Sequence, residues 1–134
     1  YLFQFIVFCT SEFTECIFCD KTICLVDLLA TCANILNVSL PNNAGEDSMS
    51  NLDIWRGKSN DSSVREAIIH HSIDGSFSIR KGKWKLEMCP GSGGWSFPRP
   101  DKDEELLKTM PPVQLYNLKN DPVEKINLQS DFPD

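Results

Sequence analysis

An α/β fold is what this chain predicts, with a strand and a helix in its first part and a small antiparallel sheet in its second. Three observations carry that expectation. Leu2 to Phe8 has the aromatic and β-branched content of a core strand. Leu25, Leu28, Leu29, Cys32 and Ile35 recur at spacings of three and four, so a helix there gathers its apolar residues on one face, suited to packing on a sheet. Between Phe77 and Met88, apolar and polar residues alternate on either side of a glycine, as paired strands do.

The elements follow in order. After the first strand, Thr10 to Glu15 is polar and loop-like, and the helix starts at Asp20 or Thr22 and stops near Asn37. Leu40 to Asn60 holds Pro41, Gly45, Gly57 and many Asn, Asp and Ser residues, which marks a long connection. Asn51 to Arg56 is a helical turn inside it. Ala67 to His71 is a strand, Asp74-Gly75 a hairpin turn, Phe77 to Arg80 a second strand, Lys81-Gly82 a turn, and Lys83 to Met88 a third strand. On that third strand Trp84, Leu86 and Met88 share one face, while Lys83, Lys85 and Glu87 share the other, giving a meander with one wet face. Cys89 to Pro100 is a Gly, Ser and Pro-rich loop with two aromatics. Val113 to Leu118 supplies a fourth strand, and the chain then turns and enters a short helix. Residues 1–60 thus form the strand, helix and connection, and 61–134 the antiparallel sheet. One strand with one helix leaves sheet edges and an apolar face uncovered, as a slice through a larger α/β domain would.

Bulk composition narrows the function classes. With 134 residues there is room for one modest domain. The formal net charge is -6, and the cations between Arg56 and Lys108 alternate with acids, so no nucleic-acid partner is expected. Tyr1 to Phe8 is far shorter than the ~20 apolar residues that cross a bilayer and has no basic flank, so neither a membrane span nor a signal peptide is expected. A chain beginning at Tyr1 reads as a fragment or processed product. Of its six cysteines, five fall between Cys9 and Cys32, and Cys16-Ile17-Phe18-Cys19 has the spacing of a zinc or redox pair. A thiolate site from Cys16, Cys19, Cys24 and Cys32 has irregular spacings, and buried free thiols acting as small hydrophobes are the stronger reading.

Several stretches, taken together, resemble the sulfatases of the arylsulfatase A type. Asp20 to Ala33 contains Asp27-Leu28-Leu29-Ala30-Thr31, similar to the family's Asp-Leu/Met-x-x-Thr helix. Leu40 to Ser48 is similar to the G-x-D/S loop that follows, and Asn51 to Gly57 partly matches the L-L-x-G run. Arg65-Glu66-Ala67 stands where the C-terminal subdomain begins. His70 to Arg80 with Lys83-Trp84-Lys85-Leu86 resembles bacterial arylsulfatases, and Leu115 to Leu128 matches L-Y-x-L-x-x-D-P-x-E-x-x-N-L. Near the start, Phe5-Ile6-Val7 keeps register with R-V-P-F-I-V-x-W-P-G, while Cys9-Thr10-Ser11 replaces Trp-Pro-Gly. The resemblance implies the C-terminal part of an alkaline-phosphatase-like α/β fold: the terminal strand and helix of the large sheet, then a small antiparallel meander with a C-terminal helical turn.

The resemblance also implies a chemistry. Sulfatases of this kind convert a cysteine or serine within C/S-x-P-x-R to formylglycine, whose hydrated aldehyde attacks sulfur beside a calcium ion. Cys89-Pro90-Gly91-Ser92-Gly93 has its proline one place early, and Ser96-Phe97-Pro98-Arg99-Pro100 has proline where arginine is required. Neither qualifies, and the family's acidic calcium ligands have no counterpart here. The expectation is therefore a sulfuric ester hydrolase portion that is inactive alone, binds no calcium itself, and works with the N-terminal sulfatase portion on a sugar or aryl sulfate ester. Family members are often periplasmic or secreted. His70, His71 and Trp95 are the candidate substrate-binding residues. The histidines are adjacent on a strand and point to opposite faces, so only one of them serves a given pocket; the alternative for it is a packing role in the meander. Trp95 offers a face on which a sugar or aryl ring stacks, or it sits on a surface loop. Arg80, Lys81, Lys83 and Lys85 form a cationic strip, read as the hairpin's solvated face. The rival assignment is a small cysteine-rich module, zinc-binding or pairing with a protein partner through its first strand.

Overall fold

The computed structural model describes residues 21–58 and 65–133, and the chain divides into two compact units, Leu2–Glu66 and Ala67–Asp134. The strand expected at Leu2 to Phe8, the loop after it, and Cys16 and Cys19 lie outside the described residues.

In the first unit a 3-10 turn, Leu25–Asp27, leads into helix α1, Leu28–Ile35, and a short helix α2 spans Leu52–Trp55. Helix α1 starts later than expected. Cys24 is extended (φ -119°, ψ 145°), and the β-branched pair Thr22-Ile23 before it favours the same conformation. The stop comes where expected: Asn37 takes φ 53°, its N–H reaches the Asn34 carbonyl at 3.2 Å, and the Val38 N–H reaches that of Ala33 at 2.9 Å. That pair of bonds is the Schellman closure, which asparagine tolerates better than most residues because its side chain is short and polar.

The buried row of α1 is polar. Asp27 and Thr31, one turn apart, are 1% and 0% exposed, whereas Leu25, Leu29, Ile35 and Leu36 are all exposed. The expected packing of the apolar face on a sheet is thus not what the described residues show. The cause is the connection of residues 40–51, which lies along the Asp27–Thr31 side. Ser48 Oγ accepts from the Ala30 N–H at 2.9 Å, and Thr31 Oγ1 accepts from the Asn51 N–H at 3.0 Å while donating to the Asp27 carbonyl at 2.6 Å. Gly45, at φ 69°, lies so close that a Cβ would sit 3.1 Å from Leu29 Cδ2. Leu52 and Ile54 of α2 supply the apolar burial.

The second unit is a four-stranded antiparallel sheet in the order β1 (Ile68–His71), β2 (Phe77–Lys81), β3 (Trp84–Glu87), β4 (Gln114–Asn117), with α3 (Glu104–Leu107) in the connection before β4. Gly75 (φ 88°) and Gly82 (φ 56°) make the two hairpin turns, both at positions where other residues strain. Register places His70 opposite Ser78, Ser78 opposite Glu87, Glu87 opposite Gln114, and Lys85 opposite Tyr116. Those residues share one face with Ile68 and Arg80. The other carries Ile69, His71, Phe77, Ile79, Trp84, Leu86 and Leu115.

The wet face was expected on the lysine side of β3, and the structure inverts it. Gln114 and Tyr116 on that side are 8% and 6% exposed, while Ile69 and Phe77 opposite are 64% and 55% exposed. Two segments cover the polar side. The loop after β3 is held by Gln114 Nε2, which donates to the carbonyls of Cys89 and Gly91 at 2.8 Å each. The segment after β4 folds back as a strap. Its Leu128 N–H reaches the Leu115 carbonyl at 2.8 Å, and Asn127 Oδ1 accepts from the Leu115 N–H at 3.0 Å.

The helical turn expected after β4 is a hydrogen-bonded turn without a helix. Asp121 Oδ2 takes the N–H groups of Lys125 and Ile126 at 2.7 and 2.8 Å, and Glu124 adopts φ 57°, which no helix accommodates. Phe132 stacks edge-on against Trp84, ring centres 5.5 Å apart.

Tyr116 makes a buried polar contact in the sheet, donating its hydroxyl to Gln114 Oε1 at 2.7 Å. Burial, with the Glu87 and Glu124 charges nearby, pushes its phenol up to about 12. A spectrophotometric alkaline titration is expected to show one of the chain's two tyrosines ionising near that value. Tyr116→Phe removes that phase; persistence of the phase in the variant shows the assignment wrong.

Candidate functional site

Where the β1–β2 hairpin meets the loop after β3, the sheet opens a cleft of about 200 Å³. His70, Ser76, Ser78, Lys85, Glu87 and Cys89 are among its lining residues, with Phe77 and His71 beside them. The strands position these groups by register alone, because His70, Ser78 and Glu87 occupy three consecutive paired positions across β1, β2 and β3.

Lys85 anchors the charge here. Its Nζ lies 2.7 Å from Glu87 Oε1 and 2.8 Å from Glu124 Oε1, with a side chain only 16% exposed. Burial works against its charge, but the hydrogen bonds it donates to Glu124 and Glu87 outweigh this and raise its pKa. His70 is open to solvent at the mouth of the cleft, and its imidazole has no hydrogen-bond partner among the described residues. Desolvation by its neighbours, then the Lys85 charge, hold its imidazole below the ordinary histidine value, so it is neutral at neutral pH. His71 packs its ring edge-on against Phe77, centres 6.1 Å apart, and its Nδ1 lies 2.9 Å from the Ser72 carbonyl. The cleft thus brings both candidate histidines to its rim, with different jobs.

Trp95 is 77% exposed on the loop of residues 89–100 and is not among the cleft's lining residues. In that loop Gly91 and Gly93 are both buried, but glycine is needed for different reasons: Gly93 takes φ 60°, whereas a Cβ on Gly91 would sit 3.0 Å from the Pro98 carbonyl oxygen. The cationic strip does not form as one surface. Arg80 and Lys85 fall on the covered face, Lys81 on the other, and Lys83 Nζ sits 5.3 Å over the Trp84 ring. Sequence reasoning missed the Lys85–Glu124 pair, whose partners stand 39 residues apart. The signal was present in two motifs, Lys-Trp-Lys-Leu and D-P-x-E, whose charges are complementary.

The first unit holds a second polar cluster, around Asp27. Arg65 Nη2 reaches Asp27 Oδ1 at 2.6 Å, and its Nε lies 3.1 Å from both carboxylate oxygens. The Met49 N–H donates to Oδ1 at 2.9 Å, and Arg65 also donates to the Asp47 carbonyl. Burial pushes the Asp27 carboxyl up, but Arg65 and the Met49 amide outweigh it and hold it below the ordinary value. This is a structural clamp, because both carboxylate oxygens already accept hydrogen bonds from the protein.

A hard divalent cation needs several free carboxylate oxygens. Asp27 gives its own to Arg65, and Glu87 and Glu124 share Lys85. Among the described residues no group of three or more His, Cys, Asp and Glu side chains could hold a metal ion. The described residues therefore offer calcium no such set of free oxygens. Cys24, Cys32 and Cys89 are free thiols, and Cys32 is exposed rather than buried, contrary to the expectation for the cysteines. No helix among the described residues is long and apolar enough to cross a membrane.

No family model matches the sequence. A curated N-acetylgalactosamine-6-O-sulfatase of Bacteroides thetaiotaomicron is 30% identical over 112 residues, covering 81% of this chain and 20% of that protein. A solved Bacteroides thetaiotaomicron 6S-sulfatase, from work on the metabolism of multiple glycosaminoglycans, superposes with a TM-score of 0.57 at 30% identity, over 80% of this chain and 21% of that one. A second chain from the same organism, named a candidate sulfatase, matches in fold with a TM-score of 0.50 at 20% identity, over 80% of this chain and 20% of its own length. The chain spans about a fifth of the length of the relatives it matches.

Proposed function

We propose that this chain, similar to sulfatases over about four fifths of its length, is the C-terminal part of such an enzyme: it forms the framework and substrate rim of a sulfate ester hydrolase whose reacting groups lie in the larger remainder. One observation carries the reading. Most of the polar residues named in the resemblance are engaged in holding the fold together. Asp27 and Thr31 bind the connection, Lys85 grips Glu124, and Asp121 and Asn127 fix the strap. None of these is left to attack sulfur, and His70 and His71 stand exposed at the cleft they border. Sugar sulfate esters are the substrate class, in keeping with the relative's name. Any calcium of the parent reaction is held by residues outside this chain.

Two measurements test this. The purified chain, given an aryl sulfate and calcium, is expected to release no sulfate; turnover above a buffer blank overturns the framework role. Grafted in place of the matching segment of the N-acetylgalactosamine-6-O-sulfatase, the chain is expected to support hydrolysis. In the folded graft His70→Ala raises KM with little change in kcat, and unaltered kinetics remove the histidine from the substrate rim.

A further inference from the structure

We infer that the cleft bordered by His70, Ser78 and Glu87 is a subsite for the uncharged, hydroxyl-bearing ring of the substrate, and not for its sulfate group. The inference rests on the sulfate-ester reading above and adds which part of the ester this chain receives.

Charge decides against the anion. Among the described lining residues Lys85 is the one cation, and its ammonium is already held between Glu87, which lines the cleft, and Glu124, which does not, at 2.7 and 2.8 Å. A sulfate entering here would face the Glu87 carboxylate and find no free ammonium. Sulfate recognition needs the opposite arrangement, with unsatisfied donors converging on the oxygens.

The available groups instead suit hydroxyls, which both donate and accept. Glu87 has spent one contact on Lys85 and a 3.3 Å bond on Gln114, and a carboxylate has about four lone-pair sites. A hydroxyl donating to it makes a charge-assisted bond. His70, neutral and without a hydrogen-bond partner among the described residues, offers one ring nitrogen as acceptor and one N–H as donor. Ser78 lies between them on the middle strand. Phe77 and the ring of His71 supply an apolar wall on which the C–H face of a sugar rests. A volume of about 200 Å³ falls below the roughly 300–1,000 Å³ typical of drug-sized ligands, so the cleft accommodates a single small ring.

The test uses the full chain and two probes, N-acetylgalactosamine and sodium sulfate, in separate NMR titrations near neutral pH. The sugar is expected to shift, saturably and at millimolar concentration, the His70 imidazole signals and the Ser78 and Glu87 amides, while sulfate leaves them in place. His70→Ala, at an exposed site with no hydrogen bond to lose, is expected to keep the spectrum folded and weaken the sugar roughly five- to tenfold, about one hydrogen bond. Saturable shifts of the same signals by sulfate overturn the inference, as does a sugar titration that moves none of them. Either result leaves the sulfate-ester reading to be decided by the grafted enzyme, which reads hydrolysis and not binding at this cleft.

Discussion

Asp27→Asn is expected to destabilise the Leu2–Glu66 unit by about 3 kcal/mol, the low end for breaking a buried ion pair. The carboxylate is 1% exposed and Arg65 is 19% exposed, so the substitution removes the charge that faces a cation water only partly reaches. The amide retains an acceptor for the Met49 N–H but cannot match the guanidinium fork. Urea unfolding of the full chain, followed by circular dichroism, reads the loss as a lower midpoint. Arg65→Lys is expected to fall between wild type and Asp27→Asn, because an ammonium cannot make the bidentate contact. Equal midpoints for all three proteins refute the clamp.

The same clamp fixes an acid dependence. The folded pKa of Asp27 lies below its unfolded value near 3.8, so its contribution is complete above that value. It fades as pH falls through the lower folded pKa, where protonation releases Arg65. Wild type is therefore expected to lose stability more steeply than Asp27→Asn below about pH 4. Parallel acid limbs count against the assignment.

Much of this fold was legible because local rules set it. The Asp74-Gly75 and Lys81-Gly82 turns, the helical turn at Asn51 to Arg56 and the helix stop at Asn37 all depend on a few neighbouring residues. Which face of the sheet becomes covered was not legible. Alternation on β3 separates Trp84 and Leu86 from Lys85 and Glu87, but it cannot say which side receives the strap. That outcome is fixed by Glu124, Asn127 and Gln114, far along the chain, and by their fit to Lys85 and the Leu115 backbone. The helix misled for a related reason. Its apolar spacing was real, yet the described burial follows Asp27 and Thr31, whose partners Met49, Asn51 and Arg65 arrive from a connection with no periodicity. At the candidate site, the two histidines were visible as residue types, and adjacency on a strand separated their roles. The carboxylate pair around Lys85 was not, since nothing local couples positions 39 apart.

Lys85→Met is expected to cost about 2 kcal/mol in the Ala67–Asp134 unit, the scale of a charge-assisted hydrogen bond partly shielded from water. The substituted chain keeps the apolar stem but leaves Glu87 and Glu124 facing each other without their shared cation. The strap should then loosen first, because Glu124 is held at φ 57° against its own steric preference. Hydrogen exchange at Lys125 and Ile126, whose amides bond to Asp121, is expected to quicken more than at Ile79 within the sheet. The linkage runs opposite to that of Asp27. The folded pKa of Lys85 is raised above its ordinary 10.5, so its contribution is whole below that value and disappears as pH climbs through the higher folded one. A double-mutant cycle with Glu124→Gln isolates the pair, since removing either partner should make the other's substitution cheaper. Strictly additive losses would mean that the two charges act separately, and the strap would then owe its place to Asn127 and the backbone bonds alone.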